Sequence, residues 1–188
     1  MSNFYGQKFP ISFNKLIINR DLEIFENIEY LPKILELYKH YANNLEDDFS
    51  PYRLSYENFI NFLEKISPHF YLVFCKKDFC GFMTLENFVG NDKKLYSAEV
   101  TVCLKRKYWG NFALNVAQKF KNYCFSVLKI TKLKALIYTQ NKLSKNLLYR
   151  CGFKKEATLK SETLRNGKPQ DIEVYTLFNT NKGGCNAV

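Results

Sequence analysis

Two short turns in the middle of the sequence constrain the fold more than any other feature. The apolar run Phe70–Cys75 is followed by the turn Lys76–Asp78 and a second strand-like stretch, Phe79–Phe88. Gly90–Asp92 then precedes a third apolar stretch, Leu95–Leu104. A parallel connection between strands needs a crossover of about a dozen residues, whereas a hairpin needs only about two to five. The three segments are therefore predicted to be successive antiparallel strands.

Before these strands, the apolar residues follow a helical period. Two amphipathic helices are predicted, because apolar side chains recur about every three to four residues. A strand at Lys15–Ile18 precedes them, the turn-rich segment Asn43–Pro51 separates them, and Pro68 ends the second. The apolar positions are Leu31, Ile34, Leu35, Tyr38 and Tyr41 in the first helix, and Tyr56, Phe59, Ile60, Leu63 and Ile66 in the second.

After the three strands the sequence predicts a long helix, a strand, a short helix and a final hairpin. Asn166-Gly167 between the last two strands is a strong hairpin signal. The long helix has a buried face that comprises Ala113, Val116, Ala117, Phe120, Cys124 and Val127. The later elements are a strand at Leu133–Thr139, a helix at Lys142–Arg150 that Gly152 ends, and strands at Phe153–Leu164 and Asp171–Phe178.

The element order β-α-α-β-β-β-α-β-α-β-β indicates an α+β fold with a mixed, mostly antiparallel sheet flanked by helices. At 188 residues the chain has the length of one ordinary domain. We expect this domain to comprise residues 1–178. We expect residues 179–188, which include Gly183-Gly184, to form a disordered tail.

Composition argues against several classes of protein. No apolar run approaches the roughly 20 residues that a membrane-spanning helix requires, and Met1–Lys8 lacks the pattern of a secretory signal. We therefore expect a cytoplasmic protein that does not bind membranes. The six cysteines include no CxxC pair, and His40 and His69 are the only histidines, so a metal site is not expected. Buried, reduced thiols are the favoured interpretation.

The net charge of +10 is compatible with polyanionic partners such as nucleic acid or a phosphate-rich small molecule. Aromatic residues make up 16% of the chain, but they lie in apolar, core-like patterns and not between basic residues. Nucleic acid is therefore not the favoured partner, although charge alone does not decide the question.

The segment Leu104–Ala113 carries the main functional signal. A strand ends at Leu104, three cations follow at Lys105–Lys107, and Gly110 opens the long helix. The first N–H groups of a helix lack internal partners, and the helix dipole adds partial positive charge there. The segment predicts either a phosphate-binding loop or an ordinary solvated basic turn.

Several motifs at family-like spacing resemble the GNAT superfamily of N-acetyltransferases. They are Trp109-Gly110 before a helix, Asn141-Lys142-Leu143-Ser144 and Cys151-Gly152-Phe153, and the order of elements from Leu31 to Phe178 also fits. The resemblance is to the branch that includes ribosomal-protein N-terminal and spermidine acetyltransferases. It implies a GNAT-like sheet and transfer of an acetyl group from acetyl-CoA to a primary amine of a protein N-terminus, a polyamine or an amino sugar.

The same resemblance implies which residues bind the cofactor. The strand Leu95–Leu104 is expected to diverge from Leu133–Thr139. The backbone groups near Val102–Leu104 that this leaves unpaired are expected to hold the pantetheine as an added strand. Asn141 and Ser144 are expected either to contact the cofactor or to cap their own helix. The full set of expected cofactor-binding residues is Val102, Cys103, Leu104, Lys107, Trp109, Gly110, Asn111, Phe112, Ala113, Asn141 and Ser144.

Glu99 and Tyr149 are the candidate catalytic residues. Glu99 is the only carboxylate in its strand and is the candidate general base, acting through a water, with a structural role as the alternative. Tyr149 is the candidate acid, but the family's tyrosine position holds Leu148, and one helical step turns a side chain by about 100°. In the phosphate loop, Lys107 replaces an Arg and Phe112 replaces a Gly, which predicts a shifted or weaker cofactor site.

The sequence leaves several alternatives open. Two of them concern function: a degenerate CoA-binding module without turnover, and a GNAT protein that acts on aminoacyl-tRNA. The third concerns assembly and is a homodimer. We expect a cationic acceptor, because Glu46-Asp47-Asp48 is an anionic cluster on a basic chain. A solvated acidic loop is the other interpretation of these residues.

Overall fold

The protein is represented by a computed structural model that describes residues 9–48, 50, 55–67, 69–91 and 93–180. In these ranges the strands are β1 Ile11–Asn19, β2 Ile24–Glu26, β3 Phe70–Cys75, β4 Asp78–Asn91, β5 Lys94–Leu104, β6 Lys132–Tyr138, β7 Lys154–Arg165 and β8 Lys168–Phe178. The helices are α1 Leu31–Leu45, α2 Tyr56–Ile66, α3 Asn111–Ser126 and α4 Lys142–Arg150. Short 3-10 helices lie at Ile28–Tyr30 and Arg106–Tyr108.

The strands form one sheet in the order β2-β1-β3-β4-β5-β6-β8-β7. β5 and β6 are parallel, whereas β1 with β2 and β3, β3 with β4, and β8 with β6 and β7 are antiparallel. The predicted α+β fold with a mixed, mostly antiparallel sheet is therefore confirmed. The sequence analysis misses β2, because its three residues are all exposed and show no buried apolar pattern.

The chain divides into two compact units. The first comprises Met1–Glu46, Ser50–Thr84 and Val102–Ala117. The second comprises Asp47–Phe49, Leu85–Thr101 and Gln118–Val188. The assignment of residues 1–178 to one domain stays a prediction.

The core of the first unit joins residues of both predicted helices to those of β1, β3 and β4. Leu16, Ile34, Leu63, Phe70 and Phe82 are buried in this core. The hydroxyl of the N-cap residue of α2, Ser55, accepts a hydrogen bond from the Asn58 amide at 3.0 Å. The predicted helix faces are buried or partly buried, except that Tyr56, the first residue of α2, is exposed.

The second unit contains the predicted C-terminal hairpin. β6 pairs with β8 along all seven β6 residues, and β8 pairs with β7 through a turn at Asn166 and Gly167. Both turn residues have positive φ, 52° and 68°, as a tight hairpin turn requires. The carboxylate of Asp48 accepts hydrogen bonds from both turn amides, at 2.9 and 2.8 Å. The hairpin prediction is confirmed.

One prediction for the second unit is wrong. Val127 is exposed, because α3 ends at Ser126 before the helical face reaches it. The disordered tail at residues 179–188 stays a prediction, and its first residue, Asn179, donates an amide hydrogen bond to the carbonyl of Thr131 at 2.9 Å. The rest of the predicted tail from residue 181 lies outside the described residues.

Four of the five cysteines in the described part of the chain match the predicted buried thiols, and Cys185 lies outside the described residues. Cys80, Cys103, Cys124 and Cys151 are buried and free, and Cys75 is partly exposed. Burial raises the pKa of Cys103 and of Cys124 to about 12, so both stay protonated. No helix among the described residues has the length and apolar character needed to cross a bilayer. Those residues also contain no group of three His, Cys, Asp or Glu side chains that would hold a metal.

Candidate functional site

Backbone hydrogen bonds and an indole fix the loop between β5 and α3 in the first unit. The amide of Lys105 donates to the carbonyl of Cys80 at 2.8 Å, which ties the end of β5 to β4. The 3-10 helix Arg106–Tyr108 follows. The Trp109 indole Nε1 then donates to the Leu104 carbonyl at 3.0 Å and closes the loop. Trp109 therefore stabilises the shape of this loop.

Gly110 stands where this loop turns into α3. Its φ is +80°, a left-handed conformation that glycine adopts without steric penalty. A Cβ added at Gly110 would meet no atom within 4 Å, so the backbone there faces open space. α3 begins at Asn111, directly after Gly110, and the Leu114 amide donates to the Gly110 carbonyl at 3.1 Å. The positive end of a helix thus lies beside an accessible backbone turn.

The three cations of this loop lie against aromatic rings. Lys105 Nζ lies 5.0 Å from the ring centroid of Phe79, and Lys107 Nζ lies 4.9 Å from that of Tyr108. The guanidinium of Arg106 is 5.9 Å from the ring of Trp109. Arg106 and Lys107 are both exposed. Positive charge is therefore held at the surface of the loop and not neutralised by a carboxylate in these contacts.

The ring of Phe112 is buried and packs against other aromatic rings. Phe112 is buried, with its ring centroid 5.2 Å from that of Phe9 and 4.9 Å from that of Tyr108. Ala113 beside it is also buried. What Phe112 adds to the loop relative to a glycine is therefore a Cβ and a more restricted backbone, because its aromatic ring belongs to the core.

Glu99 lies in the second unit, where β5 pairs with β6. Its carboxylate accepts a hydrogen bond from Lys134 Nζ at 2.9 Å and one from Asn87 Nδ2 at 2.8 Å. In the described part of the chain, β5 pairs with β6 at three positions only, which end at Glu99 and Lys134. This short pairing agrees with the predicted divergence of the two strands. Glu99 is thus a fixed, ion-paired carboxylate at the point of divergence.

Asn141 caps α4, which was one of the two interpretations of this residue. Its side-chain oxygen accepts a hydrogen bond from the Ser144 amide at 3.2 Å. The capping role is confirmed, and the predicted contact of Asn141 and Ser144 with a cofactor stays a prediction.

Tyr149 and Leu148 point in different directions, as one helical step requires. Leu148 is 8% exposed, whereas Tyr149 is 56% exposed. The hydroxyl oxygens of Tyr149 and Tyr175 are 3.3 Å apart, and Tyr175 donates to Glu173 Oε2 at 3.0 Å. A phenol carries one proton, so Tyr149 is the donor in its contact with Tyr175. The role of Tyr149 as general acid stays a prediction.

Glu173 is a buried carboxylate that the sequence analysis missed. It accepts hydrogen bonds from Lys155 Nζ at 2.9 Å and from Tyr175, and it forms an ion pair with Lys145 Nζ at 2.9 Å. Hydrogen bonding from Lys155, then from Lys145 and Tyr175, lowers the pKa of Glu173 to about 2 against the opposing effect of burial. A lone carboxylate between Ile172 and Val174 was the available sequence signal.

Glu173 gives a testable pH dependence. In an unfolded chain its carboxyl titrates near pH 4.3, so its contribution to stability is complete above about pH 4.3 and is lost as pH falls towards its lowered pKa. Between about pH 5 and pH 2, the thermal unfolding temperature of the wild type is expected to fall more steeply than that of Glu173→Gln. Glu162→Gln, which removes an exposed carboxylate of β7, is the matched control and should leave the wild-type slope unchanged. Parallel slopes for the wild type and Glu173→Gln would contradict the assignment.

Two of the three carboxylates in the acidic cluster Glu46-Asp47-Asp48 accept hydrogen bonds from the final hairpin. Asp47 Oδ2 accepts a hydrogen bond from Thr163 Oγ1 at 2.7 Å, and Asp48 accepts those of the turn amides. Glu46 is buried and belongs to the first unit. These residues are therefore not simply a solvated acidic loop, and their predicted effect on the acceptor stays a prediction.

The predicted site residues are distributed over the two units. The first unit contains Val102–Leu104 and Lys107–Ala113, with the side chains of Cys103 and Leu104 buried. The second contains Glu99, Asn141, Ser144 and Tyr149.

One family model and two curated relatives match parts of this chain. A family model described as Acetyltransferase (GNAT) domain matches residues 33–154. The uncharacterized N-acetyltransferase YoaA of Bacillus subtilis (strain 168) is 36% identical over 81 residues, which are 43% of this chain and 46% of YoaA. The chain spans about half the length of the curated relatives it matches.

Solved structures of similar fold cover most of the chain. A spermidine N-acetyltransferase from Vibrio cholerae, in complex with CoA and spermine, has a TM-score of 0.67 at 18% identity and covers 90% of this chain and 95% of its own. Mycobacterium smegmatis RimJ, in complex with CoA-disulfide, has a TM-score of 0.71 at 13% identity. The match covers 94% of this chain and 87% of the RimJ chain. At such low identities the likeness concerns the fold.

Proposed function

This chain belongs to the GNAT family of acetyltransferases, and on that premise we propose that it transfers an acetyl group from acetyl-CoA to a primary amine. The observation that carries the proposal is the loop between β5 and α3. There a left-handed glycine, exposed cations and the positive end of a helix occur within a few residues. This combination suits the phosphates of a nucleotide-containing cofactor.

The residues of this loop fit a phosphate-rich group. The open space beside Gly110 lets a phosphate approach the backbone. The amides from Asn111 to Ala113 form the first turn of α3, and Lys107 adds a full positive charge at the surface. We assign the phosphates to Lys107 and to the backbone of Gly110–Ala113, with Trp109 stabilising the loop through the Leu104 carbonyl.

The pantetheine is assigned to the end of β5. Val102, Cys103 and Leu104 lead directly into the phosphate loop, and an extended segment can add to strand backbone as a further strand. A backbone N–H in this segment would also polarise the thioester carbonyl. Support for this assignment comes from the short pairing of β5 with β6, which leaves the later residues of β5 outside that ladder.

The proposed chemistry is a direct transfer. The neutral amine nitrogen attacks the thioester carbonyl carbon, a C–N bond forms, and the C–S bond breaks to release a thiolate. The amine loses a proton to a base, and the thiolate takes up a proton to give CoA. We propose Glu99 as that base, acting through a water, because Lys134 and Asn87 hold its carboxylate in one orientation.

Two measurements test this function. Native mass spectrometry of the purified protein should show a bound CoA species, and a thiol-release assay with acetyl-CoA should show turnover with at least one amine in a panel. Binding without turnover across a broad panel would favour a degenerate CoA-binding module. Absence of both would contradict the proposal.

Replacing Glu99 by Gln is expected to lower turnover about 100-fold, because a positioned general base contributes roughly that factor. CoA affinity, measured by calorimetry, should stay within about twofold, because a base acts on the amine and not on the cofactor. Glu156→Gln is the matched control, because Glu156 also pairs with a lysine, Lys132, at 2.8 Å. Equal turnover of wild type and Glu99→Gln would exclude Glu99 as the base.

The acceptor class is a further part of the proposal. We propose a cationic primary amine, as in a protein N-terminus, a polyamine or an amino sugar. Support comes from the negative charge of Asp47 and Asp48, whose carboxylates bind the final hairpin, since charge of one sign attracts the opposite sign. The related structure that contains spermine is consistent with this class.

A further inference from the structure

Arg165, the last residue of β7, has hydrogen-bond donors for which the described residues provide no acceptor. Its Nε and Nη2 atoms are shielded from solvent, and neither has a hydrogen-bond partner among the described residues. Its guanidinium stacks on the ring of Tyr138, 3.8 Å from the ring centroid. Buried donors without acceptors are unfavourable, because their hydrogen bonds to water are lost and not replaced. A ligand that supplies the acceptor would satisfy these donors.

The two unpartnered nitrogens define the shape of that acceptor. Nη2 is the terminal nitrogen on the same side as the Nε–H bond, so the two N–H bonds point in parallel from one edge of Arg165. This edge matches the two oxygen atoms of a carboxylate. The ring of Tyr138 fixes the plane of the guanidinium, so the direction of approach is fixed as well.

Arg165 lies at one end of a strip of residues on a single face of the second unit. Lys134, Leu136 and Tyr138 alternate onto that face of β6, and Lys134 pairs with Glu99. Leu136 is 45% exposed, although β6 lies inside the sheet between β5 and β8. The strip therefore has a carboxylate–lysine pair at one end, an exposed apolar residue in the middle and Arg165 on Tyr138 at the other end.

Two carboxylates near Arg165 are engaged elsewhere. Asp47 accepts the hydroxyl hydrogen bond of Thr163, two residues before Arg165. Asp48 accepts the amides of Asn166 and Gly167 in the turn. Both carboxylates stabilise the hairpin, and the Nε–Nη2 edge of Arg165 has neither of them as an acceptor.

We propose that Arg165 binds a carboxylate of the acceptor, so that the acceptor carries an amine at one end and a carboxylate at the other. The role of the amine rests on the proposed acetyl transfer, whereas carboxylate binding does not. Tyr138 lies four residues after Lys134 in β6, a distance of about 13 Å at about 3.3 Å per residue. The acceptor therefore has a long spacer, and its apolar part lies over Leu136.

The kinetic test compares straight-chain ω-amino acids of increasing length with the matching ω-amino carboxamides. The wild type should prefer the acids, with an optimum at a long spacer. Arg165→Gln should lose at least about tenfold in kcat/KM for the acids and little for the carboxamides. Arg165→Lys should not restore the preference, because lysine keeps the charge but lacks the fork. Lys168→Gln is the matched control, because Lys168 is the exposed cation that pairs with Arg165 across the hairpin.

A binding test keeps the inference independent of turnover. In NMR titrations of the wild type, the Arg165 Nε–H signal should shift with the preferred ω-amino acid and not with its carboxamide. Short peptides with a free C-terminus, compared with their C-terminal amides, show whether the carboxylate can belong to a peptide. Equal binding of acids and carboxamides, or equal losses of both in Arg165→Gln, would overturn the proposal. Carboxylate binding without acetylation of any amine would contradict the proposed function and leave the Arg165 site supported.

Discussion

Replacing Gly110 by Asp is expected to weaken CoA binding at least about tenfold, or roughly 1.4 kcal/mol, beyond the effect of replacing it by Asn. Gly110 has a φ of +80°, and both Asn and Asp tolerate left-handed backbone better than other residues. Neither side chain collides at its Cβ, because no atom lies within 4 Å of that position. The two variants therefore share size and backbone strain and differ in charge.

The added carboxylate of Gly110→Asp acts on the phosphates in two ways. It repels them directly, and it offsets the positive end of α3 that would attract them. Calorimetry at low and at high salt measures the difference, which should shrink as salt screens the added charge. If Gly110→Asp and Gly110→Asn bind CoA equally at low salt, the phosphates do not lie at this loop.

The positions of the elements were predictable where local signals agree. α4 begins at Lys142 and ends at Arg150 as predicted, because an Asn cap precedes it and Gly152 ends it. The final hairpin was predictable because Asn166 and Gly167 both accept positive φ. β2 was not predictable, because three exposed residues give no periodic pattern.

The candidate site was predictable as a loop but not as a set of contacts. Gly110 can be identified from the sequence because the backbone geometry there requires a glycine. The cations can be identified because they are consecutive residues before α3. The buried position of the Phe112 ring was not visible, because its partner Phe9 lies about a hundred residues earlier and only tertiary packing joins them. The sequence alone predicts a shifted or weaker cofactor site, and packing places the ring of Phe112 against Phe9 and Tyr108.

Buried charges were the least predictable feature. Glu173 and Arg165 both lie in the final hairpin, where charged side chains usually face solvent. Whether such a group is paired or unpaired depends on residues from other strands. Lys145 and Lys155 satisfy Glu173, whereas no described residue satisfies the inner edge of Arg165. The distinction matters because the first arrangement satisfies its charges within the fold, whereas the second leaves donors for which we propose a ligand acceptor.

Replacing Gly81 by Ala, which adds one methyl group, is expected to lower the free energy of unfolding more than Gly167→Ala does. Gly81 lies in β4, and an added Cβ would collide with the carbonyl oxygen of Cys103 and lie 2.7 Å from the Cα of Leu104. Both contacts are with backbone, so no side chain can rotate away. The φ of +153° is also strained for any residue with a side chain.

The expected cost of Gly81→Ala is about 3 to 5 kcal/mol, which corresponds to a drop of about 10 °C in the thermal unfolding temperature. Gly167→Ala is the matched control, because Gly167 also has a positive φ but its added Cβ meets no atom within 4 Å. That control should cost about 1 kcal/mol. The Gly81 contact involves the residues that lead into the proposed phosphate loop, so the folded fraction of Gly81→Ala should also bind CoA more weakly than Gly167→Ala does. If the two variants unfold at the same temperature, β4 and the end of β5 do not approach as closely as the structure indicates.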